Sequence, residues 1–156
     1  MIEPIDVLKI NANRPTLDGN NIDITDVRLF RALRFAWEKC MGRGANVMAY
    51  MSGRTFGKSL NLKTIDEMIE FAKNYKIGII TVVNKNPLQI RVDECMTCSG
   101  LPNMEKPLCY FEGGFIVGCL EGIVNKKVKI NETHCIGLGD DFCQFEVSTY
   151  PLYIFK

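Results

Sequence analysis

Three sulfurs and one carboxylate near the C-terminus, Cys109, Glu132, Cys135 and Cys143, constrain this chain most, because their order and spacing suit one closed metal site. The last three lie within 131–143, where a Gly139-Asp140 loop between two apolar runs can fold two short strands together and bring the side chains to one end. Such a site would staple the fold. Zinc suits these donors, since it takes thiolate and carboxylate ligands in a tetrahedral shell and makes no redox or ligand-field demand. Three thiolates and a carboxylate leave a charge of about −2 around a divalent ion, which backbone N–H groups or nearby lysines must offset. Four protein ligands leave no open position, so the metal would be structural unless Glu132 detaches to admit water. The competing interpretation makes these cysteines small buried hydrophobes.

The 156 residues, 47% hydrophobic and 24% charged, suffice for one compact domain over 1–156 with its own core. A formal net charge of +1, with Lys and Arg dispersed, does not indicate direct binding to nucleic acid or to an anionic membrane. No apolar run approaches the roughly 20 residues of a membrane helix. The start Met1-Ile-Glu-Pro4 lacks a basic region followed by an apolar one, and the seven cysteines cannot all pair internally. A reducing, cytoplasmic setting is expected, with metal, packing and redox roles left for the thiols.

Residues 5–24 are polar and turn-rich, and promise at most a short strand or hairpin, an N-terminal extension over 1–24. Thr25 or Asp26 can cap a helix through about Met41, with Phe30, Leu33, Trp37 and Cys40 at spacings of three and four. That spacing places Cys40 on an apolar face, in the core, as it does Cys119 on a later helix. A second helix is expected over 45–60, where Gly53 and Gly57 cost about 1 kcal/mol each against Ala and so imply a packing reason. Thr64-Ile-Asp-Glu67 is a capping-box pattern and starts a third helix that ends before Gly78. Beyond it, Ile79–Val83 and Leu88–Val92 flank a turn at 84–87 and predict two antiparallel strands. A fourth helix from about Pro107 to Val124 carries Gly113, Gly114 and Gly118, again signs of close approach. A hairpin over 127–149 completes the order helices, hairpin, helix, hairpin. That order specifies an α+β fold with an antiparallel sheet and helices packed on one side.

Cys95-Met-Thr-Cys98 can form a reactive dithiol, supply half of a four-cysteine zinc site with Cys135 and Cys143, or simply pack. The Glu132-x-x-Cys135 pattern favours Cys109 and Glu132 as the remaining ligands, which leaves Cys95 and Cys98 as a possible redox pair. His134, the lone histidine, lies between two proposed ligands, and strand alternation turns it away from Cys135. For a ligand pocket the helices offer Phe30, Trp37, Met48, Met51, Phe56, Phe111 and Phe115, an adaptable apolar lining that could equally be core.

Gly53-Arg54-x-x-Gly57, the glycine-rich helix after Cys109, and Glu132-x-x-Cys135 followed by Gly139-Asp140-x-x-Cys143 together resemble the 4-vinyl reductase domain, a family of predicted hydrocarbon-binding proteins. The resemblance spans roughly residues 25–150. It implies an α+β fold like the sensor domains of aromatic-compound-responsive transcription activators, with distant kinship to trafficking-complex subunits and haem-based nitric-oxide sensors, and it implies a homodimer. In the phenol-sensing relatives zinc is held at the positions that match Cys109, Glu132, Cys135 and Cys143. The chain departs from those sensors in lacking an ATPase domain, a helix-turn-helix and recognisable phenol-gripping residues.

The expected function is therefore a zinc-stabilised, dimeric domain that binds or senses a small apolar, hydrocarbon-like ligand. The alternative is an enzyme, either a reductase or a thiol redox protein using Cys95 and Cys98. No nucleotide-binding Gly-rich turn, P-loop or Ser-His-acid set supports it, and a vinyl reduction needs an electron donor that nothing in the sequence evidently binds.

Overall fold

A computed structural model describes residues 10, 13–18 and 25–149. After one helical turn, α1 (Pro15–Asp18), come α2 (Thr25–Met41), α3 (Gly44–Ser59) and α4 (Ile65–Asn74). The hairpin β1 (Ile79–Lys85) and β2 (Leu88–Asp93) follows, then α5 (Tyr110–Val124), and then β3 (Val128–His134) and β4 (Cys143–Thr149), joined by a short 3-10 turn at Ile136–Leu138. The four strands form one antiparallel sheet in the order β1-β2-β4-β3. The architecture is α+β, as the segregated order of elements predicts.

Each hairpin contributes one inner strand. β2 meets β4 in a register that sets Ile90 opposite Phe145 and Val92 opposite Cys143. Those four side chains and Ile80 are buried, as alternation requires of a sheet with one covered face. The cover is α5, whose residues 112–121 are all buried; a helix apolar all round belongs at the centre of a fold. α3 packs along α5 backbone to backbone. A Cβ added at Gly114 would lie 2.1 Å from the Tyr50 carbonyl oxygen, and one at Gly118 equally close to that of Arg54. Gly53 and Gly57 are their counterparts on α3, so glycine spacing is what lets the two helices touch.

α4 begins where the capping box places it. Thr64 Oγ1 accepts from the Glu67 N–H (3.2 Å), and Glu67 Oε2 accepts from the Lys63 N–H (2.7 Å). Three expectations need correction. The helix expected from Pro107 starts at Tyr110, because the preceding backbone is committed elsewhere: Met104 and Lys106 donate N–H bonds to the Gly137 carbonyl, and Leu108 donates to Cys135 Sγ. Cys40 is exposed rather than in the core. α2 turns Val27, Arg31, Arg34 and Phe35 inward and leaves Leu29, Leu33 and Met41 about half exposed, so the apolar spacing marks its outer side. In the N-terminal region, residues 15–18 make a helical turn rather than a strand; the rest of 5–24 lies almost wholly outside the described residues. No helix among them is long and apolar enough to cross a membrane.

Candidate metal centre and adjoining cavity

The loop after β2, the start of α5 and the β3–β4 hairpin meet at the end of the sheet where Val92 pairs with Cys143. Five buried thiols converge there. Cys109 Sγ lies 3.3 Å from Cys95, 3.2 Å from Cys98, 3.3 Å from Cys143 and 3.8 Å from Cys135, and Cys98 lies 3.2 Å from Cys143. Two groups of four donors are spaced to hold a metal ion, each with all its ligand atoms within 4.8 Å of one another. One is Cys109, Glu132, Cys135 and Cys143; the other is Cys95, Cys98, Cys109 and Cys143. The four donors singled out in the sequence are brought together, and the Cys95-x-x-Cys98 pair joins them instead of standing apart.

Local chemistry explains each placement. Cys135 opens a tight turn in which its carbonyl accepts from the Leu138 and Asp140 N–H groups, while Asp140 Oδ2 accepts from the Cys135 N–H (2.8 Å). A bulge in β3 between Glu132 and His134 breaks strand alternation. Glu132 consequently enters the cluster, while His134 rests its ring 5.1 Å from Phe142. The Cys95–Cys98 loop is fastened from both sides. Arg31 of α2 donates to the Met96 carbonyl (2.7 Å) and to that of Cys95 (3.3 Å). Glu112 of α5 accepts from the Thr97 N–H (3.0 Å) and from Cys95 Sγ (3.2 Å). Sequence reasoning passed over Glu112 and Arg31. The available signal for the first was a lone carboxylate in an otherwise apolar helix, three residues after Cys109.

Electrostatics single the cluster out. Burial, with the neighbouring Cys135 charge, pushes the Glu132 carboxyl up to about 10. Burial likewise raises Glu112 well above the carboxylate range. Cys135 is held far below an ordinary thiol by hydrogen bonds from Cys109, Cys143 and Cys98. One oxygen on each of Glu132 and Glu112, and Nη1 of Arg31, lack a hydrogen-bond partner. A dense group of soft donors with an unpartnered buried carboxylate oxygen fits a bound cation. The cluster can therefore hold a metal ion.

Beside it opens a cavity of about 510 Å³ lined by Tyr50, Cys109, Tyr110, Ile130, Glu132 and Phe145 among others. Cys109 and Glu132 thus belong both to the cluster and to the cavity wall. None of the aromatic and methionine residues singled out in the sequence lines this space. Met48, Met51 and Phe56 line a separate, open hollow of about 420 Å³. Phe30, Phe56, Phe111 and Phe115 form a file of rings, Phe30–Phe111 at 5.9 Å, Phe56–Phe111 at 6.5 Å and Phe56–Phe115 at 6.2 Å. Trp37 lies on the outer side of α2, 37% exposed.

An α+β fold with this glycine-packed helix pair and a thiol-rich end is that of a known class of domains. Residues 88–149 match the family model of the 4-vinyl reductase domain. The chain is 47% identical over 130 residues to the uncharacterized protein MJ1642 of Methanocaldococcus jannaschii, covering 83% of this chain and 79% of that one. It is similar to the crystal structure of a vinyl-4-reductase family protein from the same organism, at 25% identity, a TM-score of 0.59 and 94% coverage of both chains. The phenol-responsive sensory domain of the transcription activator PoxR, solved with phenol, has the same fold at 12% identity, with a TM-score of 0.65 and coverage of 83% and 77%. The chain belongs to the 4-vinyl reductase domain family.

Proposed function

We propose that the protein is a small-molecule binding or sensing domain, acting as one unit, whose ligand has an apolar body and whose fold is fastened by zinc in the cysteine cluster. The observation that carries this is the shared wall: Cys109 and Glu132 face both the cluster and a 510 Å³ cavity. A ligand there would bear on the metal-holding residues directly. The lining is mainly Val47, Tyr50, Ile130, Leu138 and Phe145, with Asn46, Asn131 and Glu132 as polar points, the composition of a small-molecule site. The PoxR domain of the same fold supports the sensing role. Zinc follows from donors that are thiolates and one carboxylate in groups of four.

The domain acts as a homodimer in the cytoplasm. Leu29, Leu33, Trp37 and Met41 recur every fourth residue along α2 and are exposed, a contiguous apolar row of the kind that marks an interface. A second copy of α2 is the partner that row suits. Thiol redox catalysis by Cys95 and Cys98 has less support, since both are fully buried and a reactive dithiol needs access.

The test is organic extraction of freshly purified protein followed by mass spectrometry, wild type beside Ile130→Trp, which fills the cavity. An apolar compound in near-stoichiometric amount from wild type, and its loss from the variant, is the expected result. If wild type yields no compound, and a panel of phenols and fatty acids leaves its melting temperature unmoved, the ligand-binding proposal fails.

A further inference from the structure

The two four-donor groups share an edge. Cys109 and Cys143, 3.3 Å apart, belong to both; Cys95 and Cys98 complete one group, Glu132 and Cys135 the other. Tetrahedra that share an edge of two sulfurs are the geometry of a thiolate-bridged metal pair. We propose that the cluster is a binuclear centre, with two thiophilic divalent cations bridged by the Cys109 and Cys143 thiolates. Cys95 and Cys98 complete the first ion and Glu132 and Cys135 the second. This rests on the metal-binding part of the reading above, and goes beyond a single closed zinc site.

The distances suit it. With metal–sulfur bonds of about 2.3 Å, a tetrahedron has sulfur–sulfur edges of about 3.8 Å. Sulfurs at 3.2–3.8 Å about Cys109 need only small rotamer shifts to admit an ion on each side of the Cys109–Cys143 edge. A single ion would use four of the six donors and leave the other two sealed from water with no role.

Charge and support agree. Five thiolates and a carboxylate around one cation would bury a large uncompensated negative charge. A second cation removes two units of it, and the guanidinium of Arg31, bonded to the Cys95 and Met96 carbonyls, stands beside the Cys95–Cys98 arm. The unpartnered oxygen of Glu132 is the donor the second ion would take. On the first arm, Arg31 and Glu112 fix the Cys95–Cys98 loop by long-range bonds, as partners outside the shell orient metal ligands. Loading passes the proton of each ligating thiol to water, so metal uptake releases protons.

The experiment is anaerobic reconstitution of the untagged full chain with zinc, read by elemental mass spectrometry, and with cobalt(II), read by optical titration. Two ions per chain are expected in wild type. One should remain in Cys95→Ser/Cys98→Ser and one in Glu132→Gln/Cys135→Ser. Cobalt should bind in two successive equivalents, with the thiolate charge-transfer bands changing shape as the second enters, a readout that needs no variant to fold. One ion per chain in wild type, whichever arm it depends on, overturns the binuclear centre and leaves a mononuclear site standing. No ion in wild type overturns both.

Discussion

The α3–α5 seam and the cysteine cluster are both sealed from water, yet the first has no room for another atom and the second holds donors that lack a partner. At the seam the backbones are so close that a single added methyl group at Gly114 or Gly118 would sit 2.1 Å from a carbonyl oxygen. At the cluster, a Glu132 oxygen has no hydrogen-bond partner and neighbouring thiols bond to one another for want of anything better. Burial alone therefore says little about what a region is for. A region completed by its own atoms is structure, and a region that remains electrostatically unfinished is where a ligand belongs.

The largest effect should come from taking away what the cluster is proposed to hold. Stripping metal with a strong chelator should lower unfolding free energy by more than about 4 kcal/mol, since loss of a bound metal is among the few mechanisms that reach such values. Denaturant unfolding of protein before and after chelation measures it, and re-addition of zinc should restore the midpoint. An unchanged midpoint would mean that the thiols are as complete without an ion as the glycines are, and the contrast between the two regions would collapse.

Next in size is the seam. Gly118→Ala should cost about 3 kcal/mol, the upper part of the range for overpacking, because the atom it meets is the Arg54 carbonyl and the adjacent Lys58 nitrogen, backbone that cannot swing aside. Metal content should be unaffected. Equilibrium unfolding with parallel metal analysis checks both halves; a variant as stable as wild type would show that the helices can separate at little cost.

Sequence carried these two regions unequally. The seam was legible because glycine inside a helix has an energetic cost that only close packing offsets, and the spacing at Gly53, Gly57, Gly114 and Gly118 is local information. The convergence of Glu132, Cys135 and Cys143 was legible for the same reason, as one hairpin brings them together. The place of Cys95 and Cys98 was not, because it depends on Arg31 and Glu112, which reach that loop from helices 64 and 15 residues away in sequence. α2 shows the limit of periodicity. Its apolar stripe gives a phase, but which side faces inward was decided by buried arginines with specific carbonyl and amide acceptors, and that left Trp37 and Cys40 on the outer side.

The smallest effect probes whether the seam is held by shape alone. At its far end Glu121 of α5 accepts from Arg54 of α3 through both oxygens (3.0 and 2.9 Å) and from the Val128 N–H that begins β3 (3.2 Å). Burial works against its charge, but the Arg54 and Val128 hydrogen bonds prevail and hold its carboxyl below the ordinary value. A carboxylate depressed on folding stabilises the native state above its unfolded pKa, near 4.3, and that contribution fades as pH falls through the folded value. Glu121→Gln should therefore cost about 2 kcal/mol near neutral pH, as expected for a buried hydrogen bond to a charged group. The difference from wild type should hold steady down to about pH 5 and shrink below it. Urea unfolding of both proteins across that range reads the difference directly. A gap that does not narrow in acid would show that the side chain acts through its shape, and that the seam, unlike the cluster, owes nothing to charge.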